Sequence, residues 1–190
     1  MKALVLDGGR ECDLLTPVAV LEMISALGER MDDVELVPLR ERAIAMCTGC
    51  FGCWTRTPGE CVQKDDAREV LRSYVASDFA VYVTPVTFGG YPSLLKAMLD
   101  RCIPVLDPRF TVVGGEVHHR LRYRRYPKTI VLGTLPSPDP ETERLFTSLV
   151  ARNGLNLHQT FEAEVLVGVT DPASARRYAD QLLDRAGVTA

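Results

Sequence analysis

Short apolar runs alternate with longer segments of helical periodicity along most of this chain. The runs hold few polar residues, as expected of strands that are buried on both faces of a parallel sheet. They occupy residues 3–6, 34–39, 78–84, 129–132 and 161–169. The pattern therefore predicts five strands.

The segments between these runs carry apolar residues at intervals of three and four, which predicts amphipathic helices. The first helix is expected to have Thr16 as its N-cap and Pro17 in its first helical position. Further helices are predicted over residues 65–75, 92–103, 140–153 and 172–186. Strands joined by helices imply right-handed crossovers and a parallel sheet covered on both faces. Residues 1–190 are therefore predicted to form a single α/β domain of the three-layer, doubly wound class.

Two stretches interrupt this alternation. A cysteine-rich loop spans about residues 43–64, and a long irregular insertion is predicted over about residues 104–127. The insertion carries the basic cluster, HHRLRYRRY, at residues 118–126. We interpret the basic cluster as a solvated or interfacial loop, since nucleic-acid binding requires a wider basic face.

Composition and charge exclude several classes of protein. With 190 residues, 46% of them hydrophobic and 25% charged, the chain has the size and make-up of one globular domain. A formal net charge of −3 argues against nucleic acid or an anionic membrane as partner. No stretch is apolar enough to cross a bilayer. The first apolar run is too short for a secretory core, so we interpret it as a strand and expect a cytoplasmic protein.

Six cysteines without a secretory signal indicate a reducing compartment, where clustered cysteines point to metal binding or redox chemistry. Four of them form a compact pattern, Cys47, Cys50, Cys53 and Cys61. Two successive two-residue gaps allow one loop to wrap three thiolates around a centre, as in ferredoxin-type iron–sulfur loops. The turn TPG at residues 57–59 can return Cys61 as a fourth ligand. The four cysteines are therefore candidate ligands of a [4Fe–4S] cluster.

Two alternatives remain open for this loop. Zinc also accepts four thiolates, although zinc sites more often use two separated CxxC pairs. The loop can also hold no metal, in which case its cysteines serve as small buried hydrophobic residues or as redox thiols.

Three segments resemble the flavodoxin-like NADPH-dependent FMN reductases and, within them, the iron–sulfur flavoproteins. Residues 47–66, CTGCFGCWTRTPGECVQKDD, are similar to the compact cysteine motif of that branch, which is followed by paired aspartates. Residues 84–101, TPVTFGGYPSLLKAMLDR, resemble its loop against the edge of the flavin ring. Residues 114–127, GGEVHHRLRYRRYP, resemble a linker of its close relatives. The resemblance covers most of the chain.

The resemblance implies a flavodoxin-like fold with strand order 2-1-3-4-5. It also implies bound FMN, a nearby [4Fe–4S] cluster, and a homodimer or homotetramer. The residues implied at the ring edge are Pro85, Val86, Thr87, Phe88, Gly89 and Gly90, and Thr134 is a candidate partner of a flavin carbonyl. The residues implied at the phosphate are Gly8, Gly9, Arg10 and Thr16.

The predicted phosphate loop departs from the family pattern. Where the family has Gly-Ser-Pro-Arg and then Gly-Asn-Ser/Thr, this chain has DGGRECDLLTP over residues 7–17. The glycine amides and Arg10 suit a phosphate at a helix N-terminus. In contrast, Asp7, Glu11 and Asp13 oppose a dianion, and Pro17 removes one amide.

Our leading hypothesis is an FMN-dependent oxidoreductase that moves electrons through the flavin and a [4Fe–4S] cluster. No side chain is assigned as catalytic, because the chemistry takes place at the flavin. NAD(P)H or a ferredoxin-like protein is the expected donor and a small molecule such as a quinone the acceptor, with no nucleic acid or membrane as partner. One alternative is an NAD(P)H-dependent FMN or quinone reductase without a cluster. Another is a non-catalytic flavodoxin-like subunit whose cysteine loop holds zinc or nothing.

Overall fold

The computed structural model describes residues 1–189 and contains seven strands and six α-helices in that part of the chain. The strands are β1 (Lys2–Asp7), β2 (Asp33–Pro38), β3 (Phe79–Pro85), β4 (Leu106–Val113), β5 (Glu116–Leu121), β6 (Lys128–Leu135) and β7 (Glu162–Val167). The helices are α1 (Thr16–Gly28), α2 (Gly52–Thr55), α3 (Ala67–Ala76), α4 (Ser93–Asp100), α5 (Pro140–Asn156) and α6 (Pro172–Arg185).

Five of the strands form one parallel sheet in the order β2-β1-β3-β6-β7. β1 pairs with β2 on one side and with β3 on the other, β3 pairs with β6, and β6 pairs with β7. Counting only the strands of this sheet, the order is 2-1-3-4-5, so the predicted flavodoxin-like fold is confirmed. Each of the five predicted strands is present, with bounds within a few residues of those expected.

Each face of the sheet has its own apolar core, because side chains of a strand alternate between the two faces. On one face Val5 packs in a cluster with residues of α1 and α6 such as Leu183. On the other face Leu4 packs with residues of α3, α4 and α5, including Leu95 and Phe146. All five of these side chains are fully buried. Helices on both faces explain why the strand sequences are apolar without interruption.

The prediction of an irregular insertion over residues 104–127 is wrong, because most of this segment is a β-hairpin. β4 and β5 pair antiparallel outside the main sheet, with an irregular register between Asp107 and Phe110. Pro108 interrupts β4, and the side chains of that strand are exposed or only half-buried. A two-stranded ribbon has no core of its own, so the apolar pattern that identifies buried strands is missing.

The start of α1 also differs from the prediction. Thr16 is the first helical residue, and Leu15, which precedes it, supplies no capping side chain. The carboxylate of Asp13 accepts hydrogen bonds from the N–H groups of Leu15 and Thr16 at 3.0 and 3.2 Å. Asp13, and not Thr16, therefore supplies the side chain that accepts N–H groups at the start of α1.

Parallel pairing brings the carboxyl ends of β1, β3 and β6 to one edge of the sheet, which we call the rim. Asp7 at the end of β1 lies beside Val83, and Pro85 at the end of β3 lies beside Thr134. The loops that follow these strands therefore meet at the rim, where ligands bind in doubly wound folds. Between residues 1 and 189, no helix combines the length and the apolar character needed to span a membrane.

Candidate functional site: the rim and the cysteine loop

Gly8 brings the loop after β1 into close contact with β3. Its N–H donates to the carbonyl of Val83 at 2.8 Å. A Cβ atom on Gly8 would lie 2.8 Å from the hydroxyl oxygen of Thr84, so a side chain at this position would push the two strand ends apart. Further along, the guanidinium of Arg10 crosses the rim and donates to the Thr87 hydroxyl at 3.0 Å.

A two-residue hairpin forms the tip of the rim. Reciprocal backbone hydrogen bonds of 2.9 and 3.0 Å join Thr87 and Gly90. Between them, Phe88 and Gly89 have φ angles of 51° and 72°, the left-handed conformation of a type I′ turn. A phenylalanine with positive φ is uncommon, and this side chain is fully exposed. The rim therefore presents an aromatic ring to solvent beside the Arg10–Thr87 hydrogen bond.

The carboxylate of Asp13 occupies the N-terminus of α1. Besides the two backbone N–H groups, the Thr16 hydroxyl donates to it. The Thr16 hydroxyl also lies 2.7 Å from the Thr134 hydroxyl, and both threonines are buried. The hydroxyls of Thr16 and Thr134, which were both predicted to contact the cofactor, are therefore engaged with protein groups.

Asp7 holds the start of the same loop. One of its carboxylate oxygens accepts the N–H of Gly9 at 2.8 Å, and the other accepts a hydrogen bond from the Arg40 guanidinium. Asp7 is buried, so Arg40 neutralises a charge that is removed from water. The N–H groups of Gly8 and Gly9, which were predicted to bind phosphate, thus both have acceptors within the protein.

The two halves of the rim differ in how well they suit FMN. The ring side fits, because Phe88 supplies an exposed aromatic face and Arg10 a guanidinium close by. The phosphate side does not, because the carboxylates of Asp7 and Asp13 hold amides that a phosphate would need.

The cysteine loop continues from the carboxyl end of β2. Its thiols differ in exposure: Cys50 is exposed, Cys47 and Cys61 are half-buried, and Cys53 is buried.

A tight contact at Gly52 shapes the middle of the loop. A Cβ atom on Gly52 would lie 2.6 Å from a methyl carbon of Val62, so only glycine allows this approach. Phe51, just before it, has a φ of 53° and turns the chain into α2, which contains Cys53. The contact draws the segment around Cys53 towards the segment that carries Cys61.

The thiols of the loop influence one another. Burial raises the pKa of Cys53, and the charges of the other three cysteines of the loop raise it further. The Gly52 N–H and the Thr48 hydroxyl lower the pKa of Cys50, which favours the thiolate that binds metal. Within residues 1–189, no group of three or more Cys, His, Asp or Glu side chains is placed to hold a metal ion. The donor set suits an iron–sulfur cluster, but the thiols are not gathered around one point.

A buried ion pair anchors the loop to the end of α4. Arg101 is 1% exposed, and its guanidinium donates to both carboxylate oxygens of Asp65 at 2.7 and 2.8 Å. The same guanidinium donates to the Ala45 carbonyl at 2.7 Å, and the Ala45 N–H donates to Asp65 at 3.0 Å. Burial acts to raise the pKa of Asp65, but Arg101 and the Ala45 N–H lower it overall. The pair therefore fixes the two ends of the loop to one helix.

Trp54 joins the cysteine loop to the β4–β5 hairpin. Its Nε1–H donates to the Leu106 carbonyl at 3.0 Å. Its ring stacks on Phe51 with 5.2 Å between ring centroids and lies 4.7 Å from the ring of His119. His119 in turn stacks on Phe110. This end of the basic cluster is thus part of an aromatic layer over the cysteine loop.

A cavity of about 610 Å³ lies beside this aromatic layer. Its lining includes Cys47 and Trp54, and also Tyr91 and Asn153, which share a hydrogen bond of 3.1 Å. Its volume lies within the range of small-molecule sites. The cysteine loop is therefore reachable from this side by a small molecule.

Sequence reasoning identified the loops of the site but missed the residues that hold them in place. Arg101 gave no signal, since an arginine in a helical segment is normally solvated. Asp65 was assigned to the start of a helix, although its main partner is Arg101. Asp13 was treated only as a charge that opposes phosphate. An aspartate shortly before a helix is a recognisable capping signal, so its hydrogen bonds were open to prediction.

Sequence comparison relates the chain to flavoproteins. The profile of the NADPH-dependent FMN reductases matches residues 1–121. The chain is 30% identical over 105 residues to an iron–sulfur flavoprotein of Methanocaldococcus jannaschii, covering 55% of this chain and 53% of that protein. It is 29% identical over 135 residues to an iron–sulfur flavoprotein of Archaeoglobus fulgidus, covering 70% of this chain and 60% of that protein. The matches thus span only a little more than half the length of these relatives.

Solved structures share the fold at low sequence identity. An NAD(P)H:quinone oxidoreductase from Methanothermobacter marburgensis superposes with a TM-score of 0.68 at 16% identity, over 98% of this chain and 95% of that one. An FMN-dependent NADH-azoreductase from Bacillus anthracis, solved in complex with FMN, superposes with a TM-score of 0.66 at 14% identity, over 98% and 97% of the two chains. These likenesses show a common architecture.

Replacement of Asp65 tests the anchor of the cysteine loop. Asp65→Asn leaves the Arg101 guanidinium buried without a counter-charge, so we expect the free energy of unfolding to fall by about 3 kcal/mol. Urea denaturation followed by circular dichroism measures the loss. Asp66→Asn is the matched control, because Asp66 accepts the N–H of Ala43 in the same loop. The control should lose less than about 1 kcal/mol, and equal losses in both variants would contradict the anchor.

Lowering the pH should weaken the same ion pair, between Asp65 and Arg101. The folded-state pKa of Asp65 lies below its ordinary value of 3.8. Its contribution to stability is therefore complete above that ordinary value and is lost as the pH falls through the lower, folded-state pKa. Between about pH 5 and pH 2, the wild type should lose more stability than Asp65→Asn. Urea midpoints across this range measure the effect, and parallel pH profiles would rule it out.

Proposed function

The chain belongs to the NADPH-dependent FMN reductase family, and on that premise we propose that it is a flavin-dependent oxidoreductase with a [4Fe–4S] cluster on its cysteine loop. The observation that carries the proposal is the pairing, in one chain, of a flavodoxin-like rim with the compact pattern Cys47, Cys50, Cys53 and Cys61. The similarity to iron–sulfur flavoproteins supports the cluster.

The four cysteines would hold the cluster. Cys53 is buried, and the charges of the other three thiols act to raise its pKa. The Gly52 N–H near the Cys50 sulfur is the kind of backbone donor that tunes bound sulfur. Phe51 and Trp54, which stack on each other and neighbour Cys53 in the sequence, would limit the access of water to a bound cluster.

A bound flavin accepts two electrons as a hydride and releases them one at a time, and an iron–sulfur cluster receives single electrons. The residues of this chain would bind the flavin, orient its ring and shield it from water. Phe88 would lie against the flavin ring, and the Arg10–Thr87 hydrogen bond fixes the loop after β1 to the hairpin that carries Phe88. The close approach of Gly8 to Thr84 holds the ends of β1 and β3 together at the rim.

We propose NAD(P)H as the electron donor, with a ferredoxin-like protein as the alternative donor, and a quinone-type small molecule as the acceptor. The described functions of the two proteins of similar fold, a quinone oxidoreductase and an NADH-dependent azoreductase, support a nicotinamide donor. The cavity beside Cys47 supports a small-molecule acceptor that approaches the cysteine loop. The proposed setting is the cytoplasm and the proposed assembly a homodimer or homotetramer.

A second candidate is an NAD(P)H-dependent FMN or quinone reductase without a cluster. One observation favours it: within residues 1–189 the four thiols are not gathered into a metal site. Iron content separates the two candidates.

Anaerobic purification followed by iron and zinc analysis tests the cluster. We expect about four irons per chain together with the broad visible absorbance of a cysteine-bound cluster. Cys61→Ser should lose most of the iron, whereas Cys12→Ser, a matched change at an exposed cysteine outside the loop, should retain it. Zinc in place of iron would overturn the cluster and indicate a zinc-bearing protein. A metal-free wild type with bound flavin would also overturn the cluster and would leave the second candidate.

Replacement of Phe88 tests the flavin rim. Phe88→Ala removes the exposed aromatic face, so we expect the Kd for flavin to rise about fivefold to tenfold. Quenching of flavin fluorescence on titration with protein measures the Kd. Leu21→Ala is the control, because Leu21 is a large exposed side chain in the middle of α1, outside the rim and the cysteine loop, and should leave the Kd unchanged. A wild type that binds no flavin would favour the non-catalytic subunit, and equal effects of both substitutions would remove Phe88 from the site.

A further inference from the structure

Four backbone N–H groups of the predicted phosphate loop already donate to acceptors within the protein. They belong to Gly8, Gly9, Leu15 and Thr16. The acceptors for the last three are the carboxylates of Asp7 and Asp13. The next residue of α1, Pro17, has no N–H to offer. A phosphate that approached the first residues of α1 would therefore meet the Asp13 carboxylate at the N–H groups of Leu15 and Thr16.

Asp13 makes the set of contacts that a bound phosphate makes at a helix start. Its oxygens receive the N–H groups of Leu15 and Thr16 and the Thr16 hydroxyl. The negative charge at this point also interacts favourably with the positive end of the α1 dipole. The N-terminus of α1 is therefore already bound to a negatively charged group, the carboxylate of Asp13.

The charges around Asp13 add to this effect. Arg40 is paired with the carboxylate of Asp7. Arg10 extends to Thr87 on the ring side of the rim, and Glu11 is exposed on the same loop. A phosphate dianion at α1 would thus lie next to Asp13 and close to further carboxylates.

We propose that Asp13 is an internal substitute for the flavin phosphate, so that the rim holds flavin by its ring and scarcely distinguishes FMN from riboflavin. The proposal rests on flavin binding at the rim, as argued under the proposed function. It makes Asp13 a specificity-determining residue: it disfavours the phosphate of FMN without contacting the ring.

The test compares the Kd values of FMN and riboflavin, because the two ligands share the ring and differ in the phosphate. For the wild type we expect Kd values within about threefold of each other, measured by quenching of flavin fluorescence. Asp13→Ala removes the charge and frees the N–H groups of Leu15 and Thr16. It should tighten FMN binding about tenfold and leave riboflavin binding unchanged.

Glu11→Gln is the matched control for the charge of the loop. It removes one negative charge from the same loop but leaves the contacts of Asp13 with α1 in place. We expect it to tighten FMN binding by less than about threefold, since the effect of an exposed charge is screened. An equal gain in FMN affinity from Glu11→Gln and Asp13→Ala would mean that general charge repulsion, and not occupancy of the amides, disfavours the phosphate, and it would overturn the proposal.

Inorganic phosphate provides a readout that needs no flavin. Asp13→Ala frees the N–H groups of Leu15 and Thr16, so its Tm should rise with phosphate concentration more steeply than that of the wild type. The wild-type slope corrects for the general stabilising effect of phosphate on folded proteins. Parallel slopes would show that the freed amides do not receive phosphate, which contradicts the proposal.

The outcomes separate this inference from the proposed function. If the wild type binds both flavins but prefers FMN by about tenfold or more, the role of Asp13 is wrong and flavin binding stands. The same conclusion holds if Asp13→Ala shifts both Kd values equally. If the wild type and every variant bind neither flavin, the proposed function fails and the inference fails with it.

Discussion

Parallel pairing on both sides of β1 is the constraint from which the rest of the structure follows. β1 is bonded to β2 and to β3, so neither face nor edge of this strand meets water, and residues Ala3 to Leu6 are at most 1% exposed. Such a strand requires helices on both faces and a crossover connection after each strand. Those crossovers send the loops after β1, β2 and β3 to the same end of the sheet. The rim and the cysteine loop are neighbours for that reason.

The sequence was sufficient for the parts of the fold that are governed by burial. The five sheet strands are apolar because they are buried on both faces, and that pattern can be recognised without a structure. The β4–β5 hairpin could not be recognised in this way, since its side chains are largely exposed and Pro108 interrupts it. The site divides in the same manner. The cysteine spacing and the TPVTFGG segment at residues 84–90 can be recognised directly in the sequence. The partners of Arg101, Asp65 and Asp13, in contrast, depend on residues that are brought together only by folding.

The two halves of the candidate site are stabilised by different means. At the cysteine loop, a buried arginine fixes the backbone while the thiols keep a range of exposure, from the exposed Cys50 to the buried Cys53. At the rim, the loops are linked by backbone and side-chain hydrogen bonds, and Phe88, in a left-handed turn, is an exposed aromatic side chain. Strained backbone of this kind clusters at functional sites. The candidate site thus combines a cysteine loop fixed by an ion pair with a rim that presents an aromatic ring to solvent.

The hydrogen bond between Trp54 and Leu106 ties the cysteine loop to the part of the structure with the least support of its own. A two-stranded ribbon outside the main sheet opens more readily than the buried strands, so local opening there precedes global unfolding. When the hairpin opens, Trp54 and His119 separate and the aromatic layer over the loop is lost. Cys50 is already exposed, but oxidation of the buried Cys53 then follows the local stability of the hairpin and not that of the whole fold, so a protein that is thermodynamically stable can still lose this thiol in air.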